Sequence, residues 1–358
     1  MIAIVSSQRE YWAREFGAQV ILKDENYQNA ILDVINKGLK PVVQIDKDAE
    51  EMTFLSKLPK NSIIGWLYSD ESLDVSFNKQ IVKLDAIFLI LRPYHLNSRK
   101  FRNIHLSLMY VIRNSKHLKS INEYIKMVFW FWRGCGMYLR EQRIIRMISK
   151  NKKVFHNFPL GYTDVFCKSI LSMHKDKTVR SDQSLVSEVP VSEILAIRDL
   201  SFVGQVGQVV RLVAIRSAES ALESNVIRRT QYGAGSYENA SVQRNGMEYA
   251  QMILSSRFVL CPPGNISGNT FRIHETVVAR RVPLVISNPP SDPNFESPVE
   301  EVFIGKKIQS WDKIISEVSA LSSDRYREIL KSNLEIFHDQ ILRARNIIER
   351  FEVNFYNK

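Results

Sequence analysis

Short apolar runs rich in Val and Ile alternate with stretches of helical spacing through the first hundred residues, and this rhythm restricts the fold more than any other property of the chain. Residues 2–5, 41–45, 63–68 and 86–91 are such runs, each bounded by polar or turn residues. Between them lie segments such as 27–37, in which Ala30, Ile31, Val34 and Ile35 recur at helical spacing. Strands joined by helices run parallel and bury both faces, so the pattern predicts a parallel α/β sheet.

A long helical region follows at 104–149, then a strand and turn at 154–162. The stretch MHKDKTVRSDQSLVSEVP, residues 173–190, is polar and lacks apolar periodicity, which predicts a linker. The α/β rhythm then restarts with a strand at 199–206, a helix at 209–222, a strand at 258–261, a helix at 269–280 and a strand at 282–287. Residues 311–355 are mostly helical, with a break near 322–324. A chain of 358 residues has room for two cores, so two domains are expected, 1–185 and 186–358. Two such domains would face each other across a cleft at the carboxyl ends of their strands, with the last helix free to pack back on the first domain.

The composition, 45% apolar and 24% charged, is that of a folded globular protein. A formal charge of +11 favours anionic partners: nucleic acid, acidic lipid headgroups or phosphorylated substrates. Cys135, Cys167 and Cys261 are odd in number and widely separated, which argues against a disulfide framework or zinc site and for a reducing, cytoplasmic setting. The start MIAIVSSQREYW turns polar too soon for a secretory signal. The longest apolar runs, 86–91 and 127–132, fall far short of the roughly 20 residues a membrane-spanning helix needs.

Chemistry concentrates in residues 258–287, FVLCPPGNISGNTFRIHETVVARRVPLVIS. A buried strand ends at Cys261, a turn with Pro262, Pro263, Gly264 and Gly268 follows, a helix begins near Asn269 or Thr270, and a second strand closes a βαβ unit. Free N–H groups and the positive end of the helix dipole then face the sheet's carboxyl edge, a setting for phosphate. Gly264 and Gly268 permit close backbone approach, Ser267, Asn269 and Thr270 can donate to phosphate oxygens, and Arg272 adds charge. Glu275, about one turn on, can accept from ribose hydroxyls. By spacing alone a plainer account is equally good: Asn269 caps an ordinary helix, and Arg272 with Glu275 is a surface pair.

The run SSRFVLCPPGNISGNTFRIHETVVARRVPLVIS resembles the C-terminal signature of bacterial exostosin-like glycosyltransferases. In that family S-x-F-x-L-x-P-x-G precedes a small polar cluster, then F-R-x-x-E and a strand of the type x-P-V-I-x. Ser256, Phe258, Leu260, Pro262, Gly264, Thr270, Phe271, Arg272, Glu275, Pro283 and Ile286 stand at matching places. Asn269-Thr270 replaces a Ser-containing pair, and Arg280-Arg281 stands where a small residue and Gly are usual, which would narrow or charge that edge. LSFVGQVGQVVRLVAI is similar to the family's opening strand for this domain, and the analogy implies a turn at Gly204 and an Arg211 that reaches the donor diphosphate. The order of Ser69-Asp70-Glu71, Arg92-Pro93-Tyr94 and Phe158-Pro159-Leu160-Gly161-Tyr162 fits the family's N-terminal half more loosely.

The resemblance implies a GT-B fold of two Rossmann-like domains, a nucleotide-sugar donor on the C-terminal one, and no cofactor or metal. The expected reaction is inverting transfer from a UDP-sugar to a glycan or lipid-linked glycan acceptor in capsule, lipopolysaccharide or other surface polysaccharide synthesis. Arg211, Arg272 and the helix start would neutralise the leaving diphosphate. Asp46-Lys47-Asp48 is the nearest D-x-D metal pattern and a weak one. The general base is expected from across the cleft, with Asp70 and Glu71 at a strand end leading and His95 behind them, and with Arg92 and Tyr94 shaping the acceptor side or holding Asp70.

The stretch 138–153 places Arg140, Arg143 and Arg146 at helical spacing beside the aromatic run VFWFW. It reads either as a peripheral contact with an anionic membrane on its inner face, or as a solvated helix face beside a core. A non-catalytic nucleic-acid or polyanion-binding protein is the rival class. No helix-turn-helix, zinc or aromatic nucleic-acid signature supports it, so no specific nucleic-acid partner is expected. A transferase-like scaffold that has lost its base is a third possibility.

Overall fold

A computed structural model describes residues 2–7, 9–24, 26–46, 48–67, 75–90, 100–151, 155–173, 184–185, 198–204, 208–221, 226–229, 240–264, 270–293, 295, 297–298 and 310–356. The chain begins β1 (Ala3–Ser6), α1 (Glu10–Phe16), β2 (Gln19–Leu22), α2 (Tyr27–Asn36), β3 (Val42–Gln44), α3 (Ala49–Ser56), β4 (Ile64–Leu67), α4 (Val75–Ile81) and β5 (Ile87–Ile90). Then come α5 (Lys100–Asn114), α6 (Ile121–Lys150), β6 (Phe155–Asn157) and α7 (Asp164–Met173). The second half runs β7 (Arg198–Gly204), α8 (Val209–Ala221), β8 (Val226–Arg229), α9 (Ala240–Leu254), β9 (Ser256–Leu260), α10 (Phe271–Val278), β10 (Val282–Leu284), α11 (Trp311–Ser319) and α12 (Ser323–Tyr356).

The described strands form two parallel sheets, in the orders β2-β1-β3-β4-β5-β6 and β10-β9-β7-β8. The protein is thus α/β with parallel sheets. Alternation within the strands explains why both faces are covered, because successive side chains point to opposite sides. Ile4, Val42, Ile64 and Leu89 enter one apolar cluster, while Val5, Val43, Leu67 and Phe88 enter another on the far face. In the second sheet Phe258 and Leu260 face a third cluster, and Val259 and Cys261 return to the first.

That first cluster joins the two halves of the chain. Tyr11, Trp12 and Phe16 of α1 and Phe166 and Ile170 of α7 pack in it with Ile253, Val259, Ile273 and Val277, and Phe337 and Ile341 of α12 close it. Arg345 of α12 donates to the Phe16 carbonyl at 3.4 Å, which brings the final helix onto α1. The traffic also runs the other way: Tyr110, Leu118 and Met127 pack with Leu200 and Phe202 of β7 and Val210 of α8.

The region expected to be helical over 104–149 is made of two helices. A 3₁₀ turn at Ser115–His117 and extended Leu118 separate α5 from α6, although no Gly or Pro marks the break. The side chain of Asn114 supplies the reason. Its Nδ2 donates to the Tyr110 carbonyl and its Oδ1 accepts from the Trp311 N–H at 3.0 Å, so the end of α5 is held by a distant helix start. Most of the expected linker, 173–190, lies outside the described residues.

Candidate anion-binding site

β7 and β9 are neighbours in the second sheet, but the chain leaves β7 for β8 on one side and returns to β9 on the other. Crossovers departing in opposite directions open a crevice at the carboxyl ends of the two strands, where open α/β sheets hold ligands. Gly204 ends β7, Arg211 lies in the first turn of α8, Pro262 and Gly264 follow β9, and Thr270 precedes α10, which carries Arg272 and Glu275. Residues 52 and 69 apart in sequence thus meet at one sheet edge, since Arg211 Nε donates to the Pro263 carbonyl at 2.9 Å and Arg272 Nη2 to the Val203 carbonyl at 2.7 Å.

The Arg272 guanidinium stacks 4.8 Å from the Phe202 ring and lies directly over Gly204. A Cβ at 204 would stand 2.5 Å from Nη2, so the close approach requires glycine. Burial, and secondly the charge of Arg272, bring Arg211 down from 12.5 to about 10. It therefore remains a cation at neutral pH, beside a second cation that opposes it. Arg272 Nε and Thr270 Oγ1 are buried with no hydrogen-bond partner among the described residues. Thr270 is extended, at φ −135° and ψ 150°, and its side chain does not cap α10. Two guanidiniums, a buried hydroxyl and a helix start form a cationic, donor-rich edge suited to a multiply charged anion.

Glu275 has a different setting from the one expected. Only 1% exposed, it accepts at Oε1 from Thr163 N at 3.2 Å and Thr163 Oγ1 at 2.6 Å, and at Oε2 from Tyr249 Oη at 2.6 Å. Burial raises its pKa, and the bonds from Thr163 and Tyr249 and the charge of Arg272 oppose that rise. A ribose hydroxyl would have to compete with three protein donors for this carboxylate. Thr163 follows the Phe158–Tyr162 loop, which is pinned by Tyr162 Oη donating to Glu15 at 2.9 Å and by Gly161, whose Cβ would enter the Tyr11 ring. Sequence reasoning passed over Thr163 and Tyr249. Their separations from Glu275, 112 and 26 residues, carry no local signal.

Arg280 and Arg281 do not border this edge. They precede β10, which runs parallel to β9, and so lie at the opposite, amino end of the sheet. Arg281 there donates through Nε and Nη2 to the Leu254 carbonyl at the end of α9, at 2.8 and 2.5 Å. In the D-x-D pattern, Asp46 pairs with Lys23 at 2.7 Å, and Asp48 caps α3 by accepting from Glu50 N at 3.0 Å. Ser267, Gly268 and Asn269, and the opposing candidates Asp70, Glu71, Arg92, Tyr94 and His95, lie outside the described residues.

No family model, no curated protein and no solved structure matches this chain.

Proposed function

We propose that the chain is a glycosyltransferase acting on a nucleoside-diphosphate sugar, with the diphosphate seated at the carboxyl ends of β7 and β9. The observation that carries this reading is the pair of guanidiniums, Arg211 and Arg272, each held by a backbone carbonyl at the switch point of one parallel sheet. Like charges are held close only at a cost, and a dianionic ligand between them offsets it. The resemblance of 255–287 to exostosin-like transferases then selects a nucleotide-sugar among phosphorylated ligands, and implies a UDP-sugar, inversion and a surface-glycan acceptor.

In such a transfer the bond from the anomeric carbon to the diphosphate oxygen breaks as the acceptor hydroxyl attacks. The negative charge left on the diphosphate is met by Arg211, Arg272, Thr270 Oγ1 and the first N–H groups of α10, which are in place before the reaction and need no reorganisation. Asp70 or Glu71, with His95 as the next candidate, is the base proposed for the acceptor proton, and Arg92 and Tyr94 are the residues proposed for acceptor recognition.

The test is a thermal-shift panel with UDP, GDP, CDP and CMP, each with and without EDTA. A saturating ligand at about a hundred times its Kd stabilises the fold by about 2.7 kcal/mol, which such a panel resolves. UDP is expected to raise the melting temperature with EDTA making no difference, and Arg272→Ala is expected to remove most of that rise. An Arg272→Ala protein with the full UDP shift would overturn the diphosphate placement, and a chain indifferent to all four nucleotides would overturn the donor class.

A further inference from the structure

The solvent face of α6 is apolar along its first half and cationic along its second. Ile121, Ile125, Val128, Trp132 and Leu139 follow one another at helical spacing with Phe129 beside them, and all are exposed, Ile121 by 80%, Trp132 by 67% and Phe129 by 60%. The same stripe continues as exposed Arg143, Arg146 and Lys150, and Lys126, Arg133 and Arg140 flank it. The opposite face is fixed to the body of the protein. Met127, Met137, Tyr138, Ile144 and Ile145 are buried, and Gly134 lies against the Pro290 carbonyl too closely for any Cβ. The exposed stripe is therefore the side left over after α6 has packed.

Its charge is one-sided. Residues 100–150 contain eleven Lys and Arg but only two acidic residues, Glu123 and Glu141, so most of the chain's formal charge of +11 lies in this segment. Neither glutamate serves the stripe: Glu141 is buried, and Glu123 is held by the Arg216 guanidinium at 2.6 and 2.8 Å. A second copy laid parallel on this face would set Arg143, Arg146 and Lys150 against themselves. Laid antiparallel, it would set them on Ile121, Ile125 and Val128. An anionic bilayer satisfies both halves together, with Phe129 and Trp132 entering the acyl boundary and the basic end meeting headgroup phosphates. Among the described residues no helix is long and apolar enough to cross a membrane.

We infer that α6 is a membrane-docking helix that lies in the plane of an anionic lipid surface through Ile121, Ile125, Phe129 and Trp132, with Arg143, Arg146 and Lys150 on the headgroups. This places the apolar part of the contact N-terminal to the basic stretch 138–153. It does not depend on the nucleotide-sugar reading.

The experiment is co-sedimentation of the full chain with phosphatidylcholine vesicles, with and without phosphatidylglycerol, over a salt series. Binding is expected only with the anionic lipid and is expected to fall as salt rises. Arg143→Glu/Arg146→Glu should weaken partitioning by at least tenfold, since each basic residue removed costs about fivefold. Phe129→Ser/Trp132→Ser should also abolish most binding, and its unchanged thermal melt should confirm a folded protein. Lipids brominated in the acyl chain should quench fluorescence in the wild type much more than in Trp132→Phe. Sedimentation that ignores the lipid charge or both double variants would overturn the proposal. So would a lipid-indifferent chain that forms a dimer in analytical ultracentrifugation and is made monomeric by Phe129→Ser/Trp132→Ser.

Discussion

Gly204→Ala separates the position of the Arg272 guanidinium from the stability of the fold. The added Cβ would stand 2.5 Å from Nη2 and 3.2 Å from Phe202 Cζ. A contact of 2.5 Å cannot persist, and the element that yields is the far end of a flexible side chain rather than the sheet. The guanidinium then leaves the Val203 carbonyl, to which it donates at 2.7 Å, and loses its stack on Phe202. Loss of one charge-assisted bond is worth about 1.5–3 kcal/mol, and a freed arginine regains part of that from water, so the fold should lose about 1–2 kcal/mol. A phosphate that depended on the displaced guanidinium would lose a bond of the same class, roughly 10- to 100-fold in Kd. Calorimetric titration with UDP, paired with a ligand-free melt, reads the two effects apart. In an Arg272→Ala background the glycine substitution should cost no further affinity, because the group it displaces is already gone. A folded Gly204→Ala protein with wild-type affinity, or full additivity of the two substitutions, would refute the assignment of Arg272 to the anion.

Tyr110→Phe should destabilise the protein by about 1–3 kcal/mol in urea unfolding. The Tyr110 hydroxyl accepts from Trp311 Nε1 at 2.7 Å and donates to the Val210 carbonyl at 3.1 Å, so its loss leaves the buried indole N–H unsatisfied and stability equal to wild type would contradict the packing of α5 on α8 and α11. Hydrogen bonding from Arg216, above all, holds Glu123 down to about 2, from 4.5. A carboxylate whose pKa is lower in the folded state adds stability above the unfolded value and loses it as pH falls through the folded value, so Glu123→Gln should be less stable than wild type at neutral pH, with the gap closing between 4.5 and about 2. A gap that stays constant with pH would show that the ion pair is not its source.

Much of the secondary structure was legible because it is written locally. The strands at 2–5, 41–45, 63–68, 86–91 and 258–261 announce themselves as Val- and Ile-rich runs, and the structure has β1, β3, β4, β5 and β9 there. β2 gave no such signal. Gln19–Leu22 is an edge strand with exposed ends, and such a strand does not need two apolar faces. β8, VIRR, mixes charge into four residues and was missed for a related reason. The split between α5 and α6 could not be read because the group that holds it, the start of α11, lies 197 residues away from Asn114.

The sequence by itself determined that the chain is α/β and that a turn with two prolines and a glycine precedes a helix carrying Arg272 and Glu275. It also put aromatic and basic residues together on one helix. Only the tertiary structure decided how these features are used. Strand order alone makes β7 and β9 neighbours and so brings Arg211 and Arg272 to one sheet edge, and no stretch of sequence encodes the order of its own sheet. Glu275 and Arg272 lie three residues apart and looked like partners, yet packing turns one toward Thr163 and Tyr249 and the other toward Phe202. For α6, periodicity specified two faces, and the contacts of Met127, Gly134 and Ile144 chose which of them meets solvent. Local periodicity fixes the direction of side chains relative to their own helix or strand. What lies in that direction depends on residues far away in sequence, brought there by burial of the shared core.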